Sequence, residues 1–187
     1  MEETLPKRKP TRCVRFDYDA AGIYFLTICT QNRQPVLSRV ICKECAQNLV
    51  GGDVPDAPQK IDSHIELLPY GEIADKYIKQ LNDFYDCIKV DQYVIMPNHI
   101  HLMLFVLKDG ASRTSPPTGN GRPRQHSSVS RFVSTFKRFC NQKYGKNIWQ
   151  RHFNDHVIRD RKDYEKHQKY IFENPLLWAF DELYYKE

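Results

Sequence analysis

The stretch from Met96 to Leu104 reads Met-Pro-Asn-His-Ile-His-Leu-Met-Leu, and it decides how the rest of the chain is interpreted. Side chains alternate between the two faces of a β-strand, so His99 and His101 are predicted to share one face while Ile100 points into the core. Two imidazoles side by side on a rigid strand supply half of a divalent-metal site. A pair of histidines on a hydrated strand face is the simpler interpretation unless further ligands exist elsewhere in the chain.

The sequence around this stretch predicts a β-hairpin within an antiparallel sheet. Residues 87–96 and 99–107 are two apolar runs, and the dipeptide between them, Pro97-Asn98, is typical of a turn. Residues 23–30 are β-branched and aromatic, which predicts a buried strand. Residues 149–158 form a short aromatic segment that is also expected to be extended.

Three helices are predicted from apolar spacing and from capping residues. Residues 70–84 carry apolar side chains at helical spacing, and residues 129–144 carry an apolar stripe that ends at Gly145. Asp160 is a predicted N-cap for a helix that ends at residue 172 or 174, before Pro175. This order of elements predicts an α+β fold with helices packed on one face of an antiparallel sheet.

The remaining segments are predicted to lie outside these elements. Residues 1–20 read as a basic arm, residues 46–62 as a loop insertion or hairpin, and residues 109–128 as a mobile loop rich in Gly, Ser, Thr and Pro. A length of 187 residues with 41% hydrophobic content is most simply one domain, residues 1–187.

Composition also limits the location that is expected for the protein. No apolar run approaches the roughly 18 residues that a membrane span requires, and the charged N-terminus lacks a signal-peptide core. The six cysteines are scattered, as is typical of reduced thiols, and the lone pair Cys42 and Cys45 is weak evidence for a metal site. These features predict a cytoplasmic protein without a membrane partner.

Positive charge is concentrated in one part of the chain. Residues 111–170 hold 14 Lys and Arg against 4 Asp and Glu, a net charge of +10, whereas the other residues have a net charge of −5. Aromatic residues are interleaved with these cations, and the combination suits a phosphate backbone and stacked or unpaired bases. A solvated basic face over ordinary core aromatics explains the same pattern equally well.

A candidate second half of the metal site lies on the last predicted helix. Tyr170 and Asn174 are four residues apart and therefore lie on one helical face. A phenol and an amide oxygen one turn apart can serve as nucleophile and metal ligand. A core aromatic and a C-cap are the common alternative, but the presence of His99 and His101 favours a site.

Four blocks of the sequence resemble the HUH single-tyrosine transposases, and in particular the REP-associated tyrosine transposase branch of these IS200-like proteins. The blocks are residues 22–33, 93–104, 149–159 and 170–175. The resemblance implies a ferredoxin-like fold and a metal-dependent single-strand DNA endonuclease and strand transferase. It implies Tyr170 as the nucleophile, His99 and His101 as metal ligands, Asn174 as the third ligand, and Mg²⁺ or Mn²⁺ as the metal.

The resemblance also implies a partner, which is single-stranded or hairpin DNA, and a covalent 5′-phosphotyrosine intermediate. His167, three residues before Tyr170, is a candidate proton relay. Nucleoid association is expected when DNA is bound, and a monomer and a homodimer both remain open. The 46–62 and 109–128 segments depart from the family pattern. Basic residues of the positive segment are candidate DNA contacts: Arg131, Lys137, Arg138, Arg151, Lys166 and Lys169.

Two other functions are compatible with the sequence. A domesticated protein that binds DNA hairpins without moving DNA would carry the same residues. A metal hydrolase that acts on a small molecule would use His99 and His101 with a cluster of further His, Asp or Glu ligands, for which the sequence offers no matching motif.

Overall fold

The histidine stretch lies in a hairpin of a four-stranded antiparallel sheet, and its two histidines are on one of the two central strands. The computed structural model describes residues 21–43, 62–107, 127–181 and 183–184. Their strands and helices are β1 (Gly22–Cys29), β2 (Ser38–Lys43), β3 (Asp62–Leu67), α1 (Pro69–Phe84), β4 (Ile88–Ile95), β5 (His99–Val106), α2 (Ser128–Tyr144), β6 (Asn154–Ile158) and α3 (Arg161–Glu173). The sheet order is β4-β5-β1-β6, and every neighbouring pair is antiparallel. The predicted α+β, ferredoxin-like class is therefore confirmed.

Strand alternation gives the sheet two different faces. Ile100 is fully buried in a core cluster that includes residues of β1, α1 and α2, so these two helices pack on one face as predicted, whereas the third helix does not. Phe25 and Met103 point to the opposite face and pack against Ile171 of α3. The third helix therefore crosses the face on which His99 and His101 lie.

The predicted turn and helix ends are confirmed. The backbone N–H of Met96 donates to the carbonyl of His99 at 2.9 Å, which closes the two-residue turn between β4 and β5. Gly145 ends α2 in the left-handed conformation, with a φ of 72°. The Asp160 side chain accepts a hydrogen bond from the backbone of Asp163 at 2.9 Å and caps α3.

The prediction from sequence missed one hairpin. Strands β2 and β3 pair with each other outside the main sheet, and Val40 and Ile65 pack beside the cluster under α3. These strands are short and mostly polar, so neither the alternation of apolar residues nor the composition predicts them strongly. Most of the 46–62 segment, all of the 1–20 arm and residues 109–126 lie outside the described residues, and the single-domain prediction stays a prediction.

The predicted loop 109–128 was wrong at its C-terminal end. Ser127 caps α2 by accepting a hydrogen bond from the backbone N–H of Ser130 at 3.2 Å, and the helix begins at Ser128. A run of serines is typical of loops, but the same side chains are good N-caps, and here the capping role prevails. Among the described helices, none is long and apolar enough to cross a membrane.

Candidate active site

His99 and His101 lie side by side on β5, as the strand period predicted. The two side chains are almost completely buried, and their ring centroids are 4.4 Å apart. The ring of His101 also stacks on Phe25, at a centroid distance of 5.0 Å. The pair is therefore held on a rigid strand, away from bulk water, which excludes the hydrated-face interpretation.

Each histidine is oriented through its Nδ1 atom. The amide nitrogen of Asn98 donates to the carbonyl of Leu183 at 2.7 Å, so its oxygen must face His99 Nδ1, 2.8 Å away. An oxygen at this position requires a proton on Nδ1, which leaves the lone pair on Nε2. The Nδ1 atom of His101 is 3.0 Å from the Thr27 hydroxyl. Metal-binding histidines are commonly oriented by such a second hydrogen bond.

Burial keeps both imidazoles neutral. It lowers the pKa of His99 to about 4, although the charge of Asp181 acts in the opposite direction. Burial and the neighbouring His99 lower the pKa of His101 to about 3. A neutral imidazole is the form that binds a metal, so both histidines are available as ligands at physiological pH.

Helix α3 brings Tyr170 and Asn174 to this pair. The ring of Tyr170 lies 5.0 Å from the ring of His101, and 39% of Tyr170 is exposed, so its hydroxyl can be reached from solvent. Asn174 forms the C-cap of α3 and is almost fully buried. The four residues that the sequence analysis assigned to the site are thus brought together.

Asp181 is the residue of this site that the sequence analysis missed. Its Oδ2 atom accepts hydrogen bonds from the Tyr170 hydroxyl at 3.0 Å and from the Asn174 amide nitrogen at 2.8 Å. Burial acts to raise the pKa of Asp181, but hydrogen bonds from Leu183 and Asn174 and the nearby His99 outweigh it and lower the pKa. Asp181 follows α3 by eight residues in a segment with no repeating pattern, so nothing in the sequence indicated its position.

The donor atoms fit a metal ion. Within the described part of the chain, Nε2 of His99, Nε2 of His101 and Oδ1 of Asn174 are buried and have no hydrogen-bond partner. Buried polar atoms are rarely left unpaired, and each one costs free energy unless a partner is supplied. A divalent cation is a partner that suits two imidazole nitrogens and an amide oxygen.

A cavity of about 560 Å³ opens beside these donors and is lined by His101, Tyr170 and the basic residues Lys166 and Lys169. His167 also lines it, and the Nδ1 atom of His167 lies 2.8 Å from the backbone carbonyl of Asp163, which must accept a hydrogen bond from it. The cavity therefore combines a tyrosine hydroxyl, an oriented imidazole and charges of both signs, since Glu173 and Asp181 also line it and Lys169 pairs with Glu173 at 3.7 Å.

The six candidate DNA contacts are not gathered on one surface. Lys166 and Lys169 line the cavity, whereas Arg131, Lys137 and Arg138 lie on α2, which packs on the other face of the sheet. The ammonium group of Lys137 donates to backbone carbonyls at 2.8 Å and 3.2 Å in the segment that contains exposed Arg151. Burial lowers the pKa of Lys137 to about 8. Lys137 thus has a structural function.

Comparison with known proteins finds one relative that is matched over nearly its whole length and two relatives with transposase names that are matched over about half of theirs. No protein-family model matches the chain. It is 27% identical over 187 residues to an uncharacterized protein of Haemophilus influenzae, covering 95% of this chain and 93% of that protein. It is 32% identical over 88 residues to the REP-associated tyrosine transposase of Escherichia coli (47% of this chain, 44% of that protein). It is 31% identical over 97 residues to a putative REP-associated tyrosine transposase of Haemophilus influenzae (48% and 50%).

The fold is similar to that of a solved REP-associated tyrosine transposase bound to a REP hairpin. The TM-score is 0.53 at 19% identity, and the match covers 91% of this chain and 76% of that one. At this identity the likeness shows a shared fold. The two named sequence relatives are each matched over about half of their length, so their activities come to this chain only as proposals.

Proposed function

We propose that this chain, whose similarities in sequence and fold support membership of the HUH single-tyrosine transposase family, is a metal-dependent single-strand DNA endonuclease and strand transferase. The observation that carries the proposal is the convergence of three unpaired buried donor atoms with a reachable tyrosine hydroxyl. The donors belong to His99, His101 and Asn174, and the nucleophile is Tyr170.

The proposed reaction is the attack of the Tyr170 hydroxyl oxygen on a DNA phosphorus. The bond from phosphorus to the 3′-oxygen breaks as the bond to tyrosine forms, which gives a 5′-phosphotyrosine. The phenol proton leaves to solvent, and the released 3′-oxygen takes up a proton. Because the intermediate conserves the phosphodiester energy, another 3′-hydroxyl can reverse the step at a new position without ATP.

Each group of the site has a separate role in the proposed reaction. A divalent cation bound by the three donors would polarise the scissile phosphate and neutralise charge in the transition state. Asp181 holds the Tyr170 hydroxyl at 3.0 Å and keeps the nucleophile beside the donors. Lys166 and Lys169 line the cavity and would attract the phosphates that flank the reacting one, with Lys169 also paired to Glu173 at 3.7 Å.

The proposed substrate is hairpin DNA with unpaired flanks. The cavity beside Tyr170, with a volume of about 560 Å³, has the size of a small-ligand pocket, so a strand must bend to bring its phosphate to the hydroxyl. Base stacking in a duplex resists such bending, whereas an unpaired flank does not.

The proposal is tested by trapping the covalent intermediate. The protein is incubated with end-labelled hairpin DNA and Mn²⁺, and a labelled band that migrates with the protein on a denaturing gel is the expected result. Tyr170→Phe should abolish this band and leave hairpin affinity within about twofold, because phosphate and base contacts supply the binding.

Tyr164→Phe is the matched control for this experiment, since it removes a hydroxyl from the same helix. The Tyr164 hydroxyl donates to Asp91 at 2.8 Å and does not line the cavity. Adduct formation that persists in Tyr170→Phe would assign the nucleophile to another residue. A wild-type protein that binds hairpins and forms no adduct would favour the DNA-binding alternative.

A further inference from the structure

We infer that Asp181 is a fourth ligand of the metal site, so that the donor set combines two imidazoles, one amide and one carboxylate. The inference rests on the proposed function, because it concerns the same metal site. It adds a residue that lies outside the strand motif and outside the catalytic helix.

The distances among the candidate donors fit one shared ion. The ligand atoms of His99, His101 and Asp181 all lie within 4.8 Å of one another. Bonds of roughly 2.1 Å in octahedral geometry place adjacent ligands about 3 Å apart and opposite ligands about 4.2 Å apart. The carboxylate is thus close enough to complete the set with small adjustments of the side chains.

The segment that carries the carboxylate is anchored to the same turn that orients His99. Asp181 Oδ1 accepts a hydrogen bond from the backbone N–H of Leu183 at 2.7 Å, and the Leu183 carbonyl accepts one from Asn98 at 2.7 Å. Asn98 is the residue that fixes the ring of His99, and the indole of Trp178 packs on that ring at 5.8 Å. The position of Asp181 is therefore built into the site and is not that of an exposed side chain.

The charge of the site supports the same assignment. Two neutral imidazoles and an amide carry no formal charge, and such a set holds Mg²⁺ or Mn²⁺ weakly because these hard cations prefer anionic oxygen. Asp181 supplies the anion, since both of its oxygens accept hydrogen bonds, from Leu183, Asn174 and Tyr170, as those of a carboxylate do. No other carboxylate among the described residues belongs to this group of candidate donors.

A positioning role is the competing explanation. The amide nitrogen of Asn174 donates to Asp181, and this bond fixes the amide plane and leaves the buried amide oxygen without a hydrogen-bond partner. If Asp181 acts only by orienting Asn174, its removal should have no effect once the amide is absent. A double-mutant cycle separates the two roles.

The experiment measures Mn²⁺ affinity of the full chain without DNA. The electron paramagnetic resonance signal of free Mn²⁺ is followed during titration, and circular dichroism confirms that each variant is folded. Asp181→Ala should weaken binding by at least about tenfold, since even partners of metal ligands are worth 10 to 100-fold. Asp181→Asn, which keeps an oxygen donor and the size of the side chain, should give a smaller loss.

Glu165→Gln is the matched control for the loss of one negative charge. Glu165 is exposed on α3 and pairs with Arg161 at 2.7 Å. Its variant should bind Mn²⁺ within about twofold of the wild type, because exposed charges act weakly at a distance.

The outcomes separate the inference from the proposed function. The Asp181→Ala loss should persist in an Asn174→Ala background. Wild-type affinity in both Asp181 variants, or an effect that vanishes in that background, would overturn the inference and leave the histidine site intact. Wild-type affinity in His99→Ala would instead refute the metal site itself.

Discussion

Replacing His101 by leucine should leave the metal-free protein at least as stable as the wild type, although His101 is deep in the structure. The imidazole is 3% exposed, and its Nε2 atom has no partner among the described residues. An unpaired buried polar atom costs about 1–3 kcal/mol, and leucine removes that cost. The substitution loses the contact to the Thr27 hydroxyl at 3.0 Å, worth about 0.5–1.5 kcal/mol. Thr27 lines the cavity, where water can replace the lost partner of its hydroxyl, so the balance favours leucine by about 1 kcal/mol.

In the presence of Mn²⁺ the wild type should instead be more stable than His101→Leu. A ligand that binds only the folded state stabilises it by about 2.7 kcal/mol at a concentration 100-fold above Kd. The wild type should gain this amount in Mn²⁺, whereas His101→Leu, which lacks one ligand, should gain little. Urea unfolding followed by circular dichroism, once in EDTA and once in Mn²⁺, measures both free energies.

Ile100→Ala is the control because Ile100 is adjacent on β5 and points to the opposite face. Its side chain is fully buried in the core, so the substitution should cost about 2–5 kcal/mol in EDTA and in Mn²⁺ alike, with the gain from metal retained. The reasoning fails if His101→Leu loses several kcal/mol in EDTA, or if its gain from Mn²⁺ equals that of the wild type.

The other predictions concern pH, salt and one lysine. Burial lowers the pKa of His99 to about 4 and of His101 to about 3, so both side chains stay neutral from pH 8 to pH 5. Calorimetry should therefore find a nearly constant Mn²⁺ affinity over this range. A steep loss of affinity below pH 6.5 would contradict the prediction. In EDTA the unfolded chain binds protons near pH 6.5 and the folded chain does not, so the free energy of unfolding should fall as pH falls from 6.5 toward 4. Because residues 111–170 carry a net charge of +10, the affinity for hairpin DNA should decrease steeply with salt, and it should also exceed the affinity for duplex DNA. A titration of both DNAs at two salt concentrations measures this. Equal affinities that do not depend on salt would mean that the basic residues form only a solvated surface. Lys137→Met should lower the free energy of unfolding by about 1–3 kcal/mol while affecting hairpin affinity less than Arg138→Met, and the opposite ranking would show that Lys137 contacts DNA.

The parts of this site that the sequence predicts are those fixed by a local period. A separation of two residues places His99 and His101 on one strand face, and a separation of four places Tyr170 and Asn174 on one helical face. Caps and turns are equally local, which is why Asp160, Gly145 and the Pro97-Asn98 turn appear where they were predicted. The hairpin of β2 and β3 has no comparable local signal, and it forms through pairing of segments that are 18 or more residues apart.

The histidine pair and the pair formed by Tyr170 and Asn174 meet because of the topology of the sheet, which spacing along the sequence does not reveal. Strand β6 pairs with β1, so the helix that follows it starts at the edge of the sheet and crosses back over β1 and β5. Phe25 on β1 lies beneath this helix and contacts the rings of both His101 and Tyr170, at 5.0 and 6.0 Å. After Pro175 the chain must turn again before a carboxylate can reach the histidines, and that turn is set by tertiary contacts of Trp178 and Leu183. The sequence therefore indicates the candidate nucleophile and three candidate ligands, whereas the place of Asp181 beside them is set only when the chain is folded.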